Sequence, residues 1–143
     1  MRWLSILIVA ISTNSFADDH CEKWPVSISP QSDGTAYKIY LSESEVIGAG
    51  AWDIEDEEPP LSVGQARTIA EDWIAHNFNG YEDAVVWQVR LNRFPCPASE
   101  ARESGLYWHY DIKYYLEFDS RKKRNSGYFV VLMSGDVVAP VLE

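Results

Sequence analysis

Apolar and polar residues alternate most clearly in the second half of the chain. Between residues 108 and 118 an apolar or aromatic residue stands at every second position. Shorter stretches of the same pattern occupy residues 35–41 and 85–92. A period of two is typical of a β-strand that buries one face, so each of the three stretches is predicted to be a strand.

A hairpin is predicted close to the end of the sequence. Residues 128–133 and 137–142 are mostly apolar, and the sequence Ser-Gly-Asp separates them at residues 134–136. Serine, glycine and aspartate in so short a connection favour a tight turn between antiparallel strands. The last strand is predicted to end at Pro140 or just after it, because proline has no N–H group for a ladder.

One long helix is predicted to start at Ser62. Apolar residues between positions 63 and 78 recur at spacings of three and four, which gives a helix one buried face. Ser62 and Gln65 fit a capping box at the N-terminus. The sequence Asn79-Gly80 is typical of a helix end.

The segments before this helix carry weaker signals. Residues 18–35 are rich in Pro, Ser, Asp and Gly and are predicted to form a tail. Val46 and Ile47 predict a short strand within residues 45–52. The order is then strand, helix and three or four antiparallel strands. The predicted fold class is therefore α+β, with one main helix packed on an antiparallel sheet of about four strands.

The first 17 residues have the pattern of a secretory signal peptide. Residues 3–11 are mostly apolar, and the small residues Ser15 and Ala17 stand at the −3 and −1 positions of a cleavage site before Asp18. The alternative is a membrane anchor, but this apolar run is far shorter than the roughly 20 residues that span a bilayer. We therefore expect export with cleavage, and a secreted or periplasmic location.

Composition limits the partners of the exported chain. The full sequence has 12 basic and 22 acidic residues, and cleavage after residue 17 would remove one arginine and leave a net charge of −11. Such a chain is unsuited to nucleic acid, and it favours a cationic protein partner. Residues 18–143 suit one globular unit. Within it, residues 18–60 supply the tail, a strand and an acidic linker, and residues 61–143 supply the helix and the sheet. No segment after the signal peptide is apolar for long enough to enter a membrane stably.

Two cysteines, Cys21 and Cys96, remain after cleavage. In an oxidising compartment the expected pairing is one disulfide, which would tie the tail to the loop around Cys96. A catalytic or metal-binding thiol is the alternative. The chain has no C-x-x-C pair, and Pro95 and Pro97 beside Cys96 suit a fixed structural loop.

Residues 61–70, L-S-V-G-Q-A-R-T-I-A, resemble the helix of PepSY-type domains, which carries a pattern like (I/L)-S-x-x-x-A-x-x-I-A. Alternating aromatic-rich segments follow at residues 85–93 and 107–118, and M-S-G-D-V-V at residues 133–138 is similar to the closing hairpin of that family. The resemblance covers about residues 61–142. It implies a small exported domain of the peptidase-propeptide type, without catalytic residues, that binds or inhibits peptidases.

No catalytic or metal-binding constellation stands out. His20, His76 and His109 form neither H-x-H nor H-E-x-x-H, and the chain lacks G-x-S-x-G and a glycine-rich phosphate loop. Pairs of carboxylates are inevitable among 22 acidic residues, so they carry no signal. We expect a protein that is not an enzyme and has no cofactor or metal. An enzyme built from scattered acids and tyrosines is an alternative.

An acidic run precedes the predicted helix. It consists of Asp53, Glu55, Asp56, Glu57 and Glu58. Three interpretations are open: a solvated linker whose charge suits the helix N-terminus, a docking surface for a cationic partner, and a calcium site. A calcium loop needs alternating ligands and a glycine at its turn, and this run has no internal glycine.

A basic run, Arg-Lys-Lys-Arg at residues 121–124, lies between two predicted strands. It is interpreted as a solvated hairpin loop. The absence of interleaved aromatic residues argues against a nucleic-acid site. Contact with the acidic run, in the same molecule or in a neighbour, is a further option that screening would weaken.

One face of the strand predicted at residues 108–118 is a candidate binding surface for a partner. Its core face is expected to carry Trp108, Tyr110 and Tyr114, with Trp73 and Trp87 also in the core. Tyr107, His109 and Tyr115 fall on the opposite face and are candidate binding residues together with the acidic run, because tyrosine is enriched at interfaces.

Our functional hypothesis is therefore a non-catalytic exported binding domain, in one form an inhibitor or modulator of a secreted or envelope hydrolase. The alternative outside enzymes is a structural or accessory envelope protein without a separable activity.

Overall fold

The computed structural model describes residues 25–56, 58–96, 100–119 and 123–143. The predicted signal peptide and Cys21, Glu57 of the acidic run, and Arg121 and Lys122 of the basic run lie outside these ranges.

Seven strands and three helices make up the described chain. In order, the elements are β1 (Pro25–Pro30), β2 (Ala36–Tyr40), α1 (Glu43–Gly48), α2 (Val63–Asn77), β3 (Asp83–Arg93), α3 (Glu100–Ser104), β4 (Trp108–Phe118), β5 (Lys123–Leu132), β6 (Val137–Val138) and β7 (Val141–Leu142).

These strands form two antiparallel sheets. The larger sheet has the order β3-β4-β5-β6, and the smaller has the order β1-β2-β7. After β6 the chain leaves the larger sheet, and β7 pairs with β2, where Lys38 lies opposite Val141. The predicted fold of one main helix on a single antiparallel sheet is therefore wrong. Residues 25–30 form a strand instead of a tail, and the last apolar stretch is divided between the two sheets.

Both faces of the larger sheet are buried around β5. Phe129 and Val131 pack in a cluster with the buried face of α2. Val130 and Leu132 belong to a second cluster that contains Ile39 of β2 and residues of α1 and α3. Because successive strand residues point to opposite faces, the larger sheet lies between α2 on one side and the smaller sheet with α1 and α3 on the other.

Helix α2 confirms the predicted capping box. The Gln65 N–H donates to Ser62 Oγ at 3.2 Å, and the Ser62 N–H donates to Gln65 Oε1 at 2.9 Å. Ala66, Ala70 and Ile74 are fully buried against the larger sheet. Their spacing of four residues places them on one stripe, so α2 is held by packing as well as by its cap.

The strand predicted within residues 45–52 is wrong, because α1 occupies the first part of that segment. Ser42 and Glu45 form a second capping box, in which the Glu45 N–H donates to Ser42 Oγ and the Ser42 N–H donates to Glu45 Oε2. Val46 of this helix is fully buried in the second cluster. A capped turn that buries one branched side chain satisfies backbone groups that a lone strand would leave unpaired.

A bulge in β3 moves Trp87 out of its predicted core position. Val86 lies opposite Tyr114 and Gln88 lies opposite Lys113, so Trp87 has no partner in the ladder. A bulge reverses the face of the residues on one side of it relative to a regular strand. Trp87 is consequently 54% exposed.

None of the helices in the described ranges is long and apolar enough to span a membrane.

Candidate functional site

A cleft of about 660 Å³ opens along the edge of β5, and we call it the edge cleft. Residues 124–128 of β5 line its base. One wall comes from the C-terminal part of α2 and from β4, and the other comes from the smaller sheet and Pro140. Both layers that sandwich the larger sheet therefore meet at this cleft.

The edge of β5 is open because β6 is short. In the described part of the chain, β5 pairs with β6 only at Val130 and Val131. Val130 lies opposite Val138, so the next step of the ladder would bring Tyr128 opposite Pro140. Proline has no N–H group to donate, and it can end the pairing at this point. The chain then passes to the smaller sheet as β7.

Alternate residues of β5 present their main chain to the cleft. The Leu132 N–H donates to Asp136 O at 2.9 Å, on the β6 side of the strand. The register between β4 and β5 has no bulge. The alternation of an antiparallel ladder therefore directs the N–H and C=O groups of Arg124, Ser126 and Tyr128 to the same side as those of Leu132. On this side, no strand of the described residues pairs with β5 at Arg124, Ser126 or Tyr128.

Aromatic rings form the wall on the α2 side. The ring centroid of Trp73 lies 5.8 Å from that of Phe78 and 4.5 Å from that of Phe129. Tyr114 completes the group, with its ring 5.7 Å from Phe78 and 5.6 Å from Phe129. These separations are those of favourable aromatic pairs. The wall is therefore mainly aromatic.

The opposite wall is held to β5 by Tyr128. Its hydroxyl donates to the main-chain oxygen of Tyr37 at 2.6 Å. Tyr37 lies on β2 and is 39% exposed, and its side chain lines the cleft. Burial raises the pKa of the Tyr128 hydroxyl above its ordinary value, so the hydroxyl keeps the proton that it donates.

Tyr114 brings a hydroxyl group to the cleft. The side chain is 6% exposed and lies over Gly127. Burial, followed by the charge on a neighbouring Tyr37, raises the pKa of Tyr114 to about 12. The hydroxyl is therefore a neutral hydrogen-bond donor at every physiological pH.

Arg124 supplies the charge among the residues that line the edge cleft. Its Nη2 lies 2.7 Å from Glu117 Oε1, and its guanidinium carbon lies 4.6 Å from the ring centroid of Tyr115. Arg124 was predicted in a solvated loop, but it belongs to β5. Among the described residues, the lining is consequently apolar and aromatic with a polar base, and its cation, Arg124, is already paired.

The predicted binding residues of β4 do not form one exposed face. Tyr107 and Tyr115 are half-buried. His109 is 2% exposed, so its predicted place on an open surface is wrong. His109 does point away from Tyr110, as expected from the alternation. At this end of β4 that face is covered, and the cross-strand neighbour Leu132 belongs to the second cluster.

His109 belongs to a small polar network. Its Nε2 lies 3.4 Å from Asp111 Oδ1. The Asn92 amide donates to Asp111 Oδ2, and the Arg90 Nε–H donates to Asn92 Oδ1 at 3.0 Å. His109 Nδ1 is buried without a hydrogen-bond partner among the described residues.

The acidic run lies near the other end of β4 from Tyr115. Trp52, just before the run, accepts a hydrogen bond from Trp108 Nε1 at 3.1 Å. After the run, the Tyr110 hydroxyl donates to the main-chain oxygen of Leu61 at 2.7 Å. Tyr115 is seven residues beyond Trp108, or roughly 23 Å along a strand. The anchors of the run therefore do not place it beside Tyr115.

Four acidic residues of this run are described, and all of them are exposed: Asp53, Glu55, Asp56 and Glu58. Asp53 organises a turn, in which its Oδ1 accepts from the Glu55 N–H at 3.0 Å. No group of three or more metal-ligating side chains occurs within the described ranges, which omit Glu57. The described residues of the run therefore form an exposed turn.

Cys96 is 3% exposed and packs in the second cluster. The predicted disulfide to Cys21 stays a prediction, because Cys21 lies outside the described residues.

Comparisons of the chain with models of protein families, with curated proteins and with solved structures find no match. The PepSY resemblance of residues 61–142 therefore stays a prediction.

Proposed function

We propose that the protein is a non-catalytic exported binding domain that captures an extended segment of a partner protein in the edge cleft. The observation that carries the proposal is the open edge of β5 at Arg124, Ser126 and Tyr128, set between aromatic walls. An extended peptide can add to such an edge as a new strand, with affinity from main-chain hydrogen bonds and specificity from alternate side chains.

The walls favour a segment with apolar or aromatic side chains. Trp73, Phe78 and Tyr114 offer ring surfaces on the α2 side, and Tyr37 offers another on the smaller sheet. A side chain directed between these rings would lose water without leaving polar groups unpaired. The Tyr114 hydroxyl would donate to an acceptor on the segment. The excess of acidic residues would favour approach by a partner with a cationic surface.

The other long edge of the larger sheet is less suited to this role. The outer edge of β3 is interrupted by the bulge at Trp87. Bulges protect edges from pairing with other chains. The regular register of β5 offers no such protection. The β5 edge is therefore the better template for a partner strand.

Inhibition of a secreted or envelope hydrolase is one form of this function. A segment bordering the active site of the hydrolase would be held in the edge cleft, and substrate would be excluded. An accessory role in the envelope would use the same cleft without an effect on catalysis. The two forms differ in whether capture of the segment changes the activity of the partner.

The test is selection of peptides from a random displayed library on the mature chain, followed by affinity measurement with fluorescein-labelled peptides. Ser126→Pro removes an N–H that faces the cleft and leaves the β4 side of β5 unchanged. Ser126→Ala keeps the N–H and is the matched control. We expect the dissociation constant to rise at least tenfold for Ser126→Pro and to change less than twofold for Ser126→Ala.

Two results would contradict the proposal. One is a library that yields no enriched peptide on the folded chain. The other is equal binding by Ser126→Pro and Ser126→Ala, which would remove the β5 edge from the interface. A mass that doubles with concentration and returns to that of a monomer in Ser126→Pro would assign the edge to a second copy of the chain instead.

A further inference from the structure

The two faces of the edge cleft differ in polarity. On the face that carries α2, the lining residues are apolar or aromatic: Trp73, Phe78, Tyr114, Leu116 and Phe118. On the face of the smaller sheet, the lining includes the polar residues Ser29, Gln31 and Ser126 beside Tyr37. A strand added to β5 would therefore meet different chemistry on its two faces.

Strand β6 shows where the side chains of an added strand point. Val137 lies opposite Val131 and packs against the cluster on α2. Val138 lies opposite Val130 and packs against the second cluster. Opposite residues of this antiparallel pair thus share a face of the larger sheet. The residue of β5 that stands opposite therefore fixes the face of each residue on the added strand.

The same register defines three positions for a guest, by which we mean the segment of the partner that adds to β5. Beyond Pro140 these positions lie opposite Gly127, Ser126 and Asn125. An antiparallel guest continues the line of β6, and antiparallel pairing is slightly more stable per residue than parallel pairing. The guest residues opposite Gly127 and Asn125 point to the α2 face. The residue between them, opposite Ser126, points to the smaller sheet.

The position opposite Gly127 lies close to aromatic rings. The Tyr114 ring reaches across Gly127, because a β-carbon there would stand 2.4 Å from its hydroxyl oxygen. The main chain of Ser126 faces the open edge, so Gly127 and its guest residue form a pair without mutual hydrogen bonds. In such a pair the Cα atoms are only about 4.5 Å apart. A guest side chain at this position is brought against Tyr114 and against Phe78, whose ring lies 5.7 Å from that of Tyr114.

We propose that the edge cleft selects a segment with the order aromatic, polar, apolar, in which the aromatic residue lies opposite Gly127. The aromatic side chain forms ring pairs on the α2 face. The apolar residue two positions later lies opposite Asn125, on the face lined by Leu116 and Phe118. This alternation is typical of a half-buried β-strand. The inference rests on the function proposed for the edge cleft, and it names the chemistry of the captured segment.

Segments without this alternation fit the cleft less well. In a segment that is apolar throughout, the residue opposite Ser126 would be set against the polar residues Ser29 and Gln31 and could not satisfy them. A segment that is polar throughout would lose water at the rings of the α2 face without burying apolar surface of its own. The difference between the two faces therefore favours alternation over either uniform pattern.

The affinities of three fluorescein-labelled peptides for the mature chain test the proposal. The first has phenylalanine and leucine separated by one threonine, with threonine and terminal lysine around them. The second has the same composition with phenylalanine and leucine adjacent, and the third has alanine in place of phenylalanine. We expect the second and third to bind at least tenfold more weakly than the first.

Sliding of the peptide along β5 cannot rescue the second sequence, because adjacent residues of a strand point to opposite faces in every register. Equal binding of the first and second peptides would overturn the alternating pattern. Equal binding of the first and third would overturn the aromatic position.

Ser126→Pro and Ser126→Ala separate this inference from the function on which it rests. If only Ser126→Pro weakens binding while the first and second peptides bind equally, capture at the β5 edge stands and the alternating pattern is overturned. If no peptide binds, or if the two variants bind the first peptide equally, capture itself is overturned and this inference with it.

A cycle between the first peptide and Phe78 locates the aromatic position. Phe78→Ala removes a ring from the α2 wall, and Trp87→Ala is the control, because it removes an exposed ring that does not line the edge cleft. Replacing the phenylalanine of the peptide by alanine should cost at least tenfold in the wild type and in Trp87→Ala, and less than threefold in Phe78→Ala. Equal costs in the three proteins would overturn the placement of the ring. Circular dichroism checks the fold of Phe78→Ala, and the peptide series needs only the wild type.

Discussion

The ring of Tyr114 lies directly against Gly127, its partner on the neighbouring strand. A β-carbon added at Gly127 would stand 2.4 Å from Cζ and from the hydroxyl oxygen of Tyr114. Gly127 is thus required by the close approach of a side chain, and its backbone has no positive φ. This contact directs the Tyr114 ring across the base of the edge cleft, between Phe78 and Phe129.

Gly127→Ala is expected to lower the free energy of unfolding by about 1–3 kcal/mol, because the added methyl group overpacks the contact with Tyr114. In a Tyr114→Leu background the same change should cost much less, since the ring is gone. Urea denaturation of the four proteins of this cycle measures the coupling. Gly48→Ala is the control, because its new methyl group meets no atom within 4 Å. A cost for Gly127→Ala as small as that of Gly48→Ala would contradict the contact.

Tyr114 should also contribute to the alkaline sensitivity of the fold. Its pKa is raised by burial from 10.0 to about 12, so the folded state keeps a proton that the unfolded state loses. Stability from this group is fully present below pH 10 and is lost as the pH rises towards 12, by up to about 2 kcal/mol. Urea denaturation at pH 9 and pH 11.5 measures the loss.

The Tyr114→Phe variant isolates the contribution of Tyr114 to this loss of stability. Such a variant is needed because burial also raises the pKa of Tyr110 and Tyr128. We expect Tyr114→Phe to lose less stability than the wild type over the same pH interval. Equal losses in the two proteins would show that the Tyr114 hydroxyl titrates at its ordinary pKa in the folded state.

Local signals predicted the elements that local interactions determine. Ser62 and Gln65 predicted the start of α2, and alternation predicted β4 at residues 108–118. The same capping signature occurs at Ser42 and Glu45, and it identifies α1. The strand predicted within residues 45–52 rested on Val46 and Ile47, and the prediction did not use this cap. The cap satisfies several backbone donors at once, so it was the stronger signal.

The fold class depended on contacts between distant segments. The run Phe-Val-Val-Leu-Met at residues 129–133 is apolar on both faces, which is typical of a strand covered on both sides. This run was the signal in the sequence that a second layer covers the other face of the sheet. The covering layer, however, is built from β1, β2 and β7, and the pairing of residues 37 and 38 with residues 141 and 142 has no local signature. The prediction of a single sheet failed for this reason.

The candidate sites escaped prediction for related reasons. The open edge of β5 exists because Pro140 ends a ladder, and only the register shows what lies opposite Pro140. The exposure of Trp87 depends on a bulge, and a bulge is set by pairing with β4. His109 was placed on the correct face of β4, but the cover on that face comes from elsewhere in the chain. The alternation in the sequence shows on which face of a strand a residue lies, but it does not show whether other segments bury that face.

The two capping boxes should contribute similar stability. Ser42→Ala and Ser62→Ala are each expected to lower the free energy of unfolding by about 1 kcal/mol, because each removes the acceptor for a helix N–H. Thr68→Ala is the control, since Thr68 lies inside α2 and alanine suits a helix interior. Urea denaturation measures all three variants. The two serine effects should add in the double variant, because the caps belong to different helices. An unchanged midpoint for Ser42→Ala would show that the cap adds nothing measurable to the burial of Val46 and to the hydrogen bond from the Ala101 N–H to Glu43 Oε1.

The polar network around His109 should stabilise the fold through Asp111 and not through the imidazole. Asp111→Ala removes the partner of the His109 Nε2 and of the Asn92 amide, and we expect it to lower the free energy of unfolding by about 1–3 kcal/mol. His109→Leu removes a buried ring whose Nδ1 already lacks a partner among the described residues. It should therefore leave the stability unchanged or raise it.

In the His109→Leu background, Asp111→Ala should cost less stability, because only the Asn92 contact is then lost. Thermal and urea denaturation of the four proteins provide the measurement. A destabilisation by His109→Leu as large as that by Asp111→Ala would show that the imidazole makes a favourable contact on both of its nitrogens.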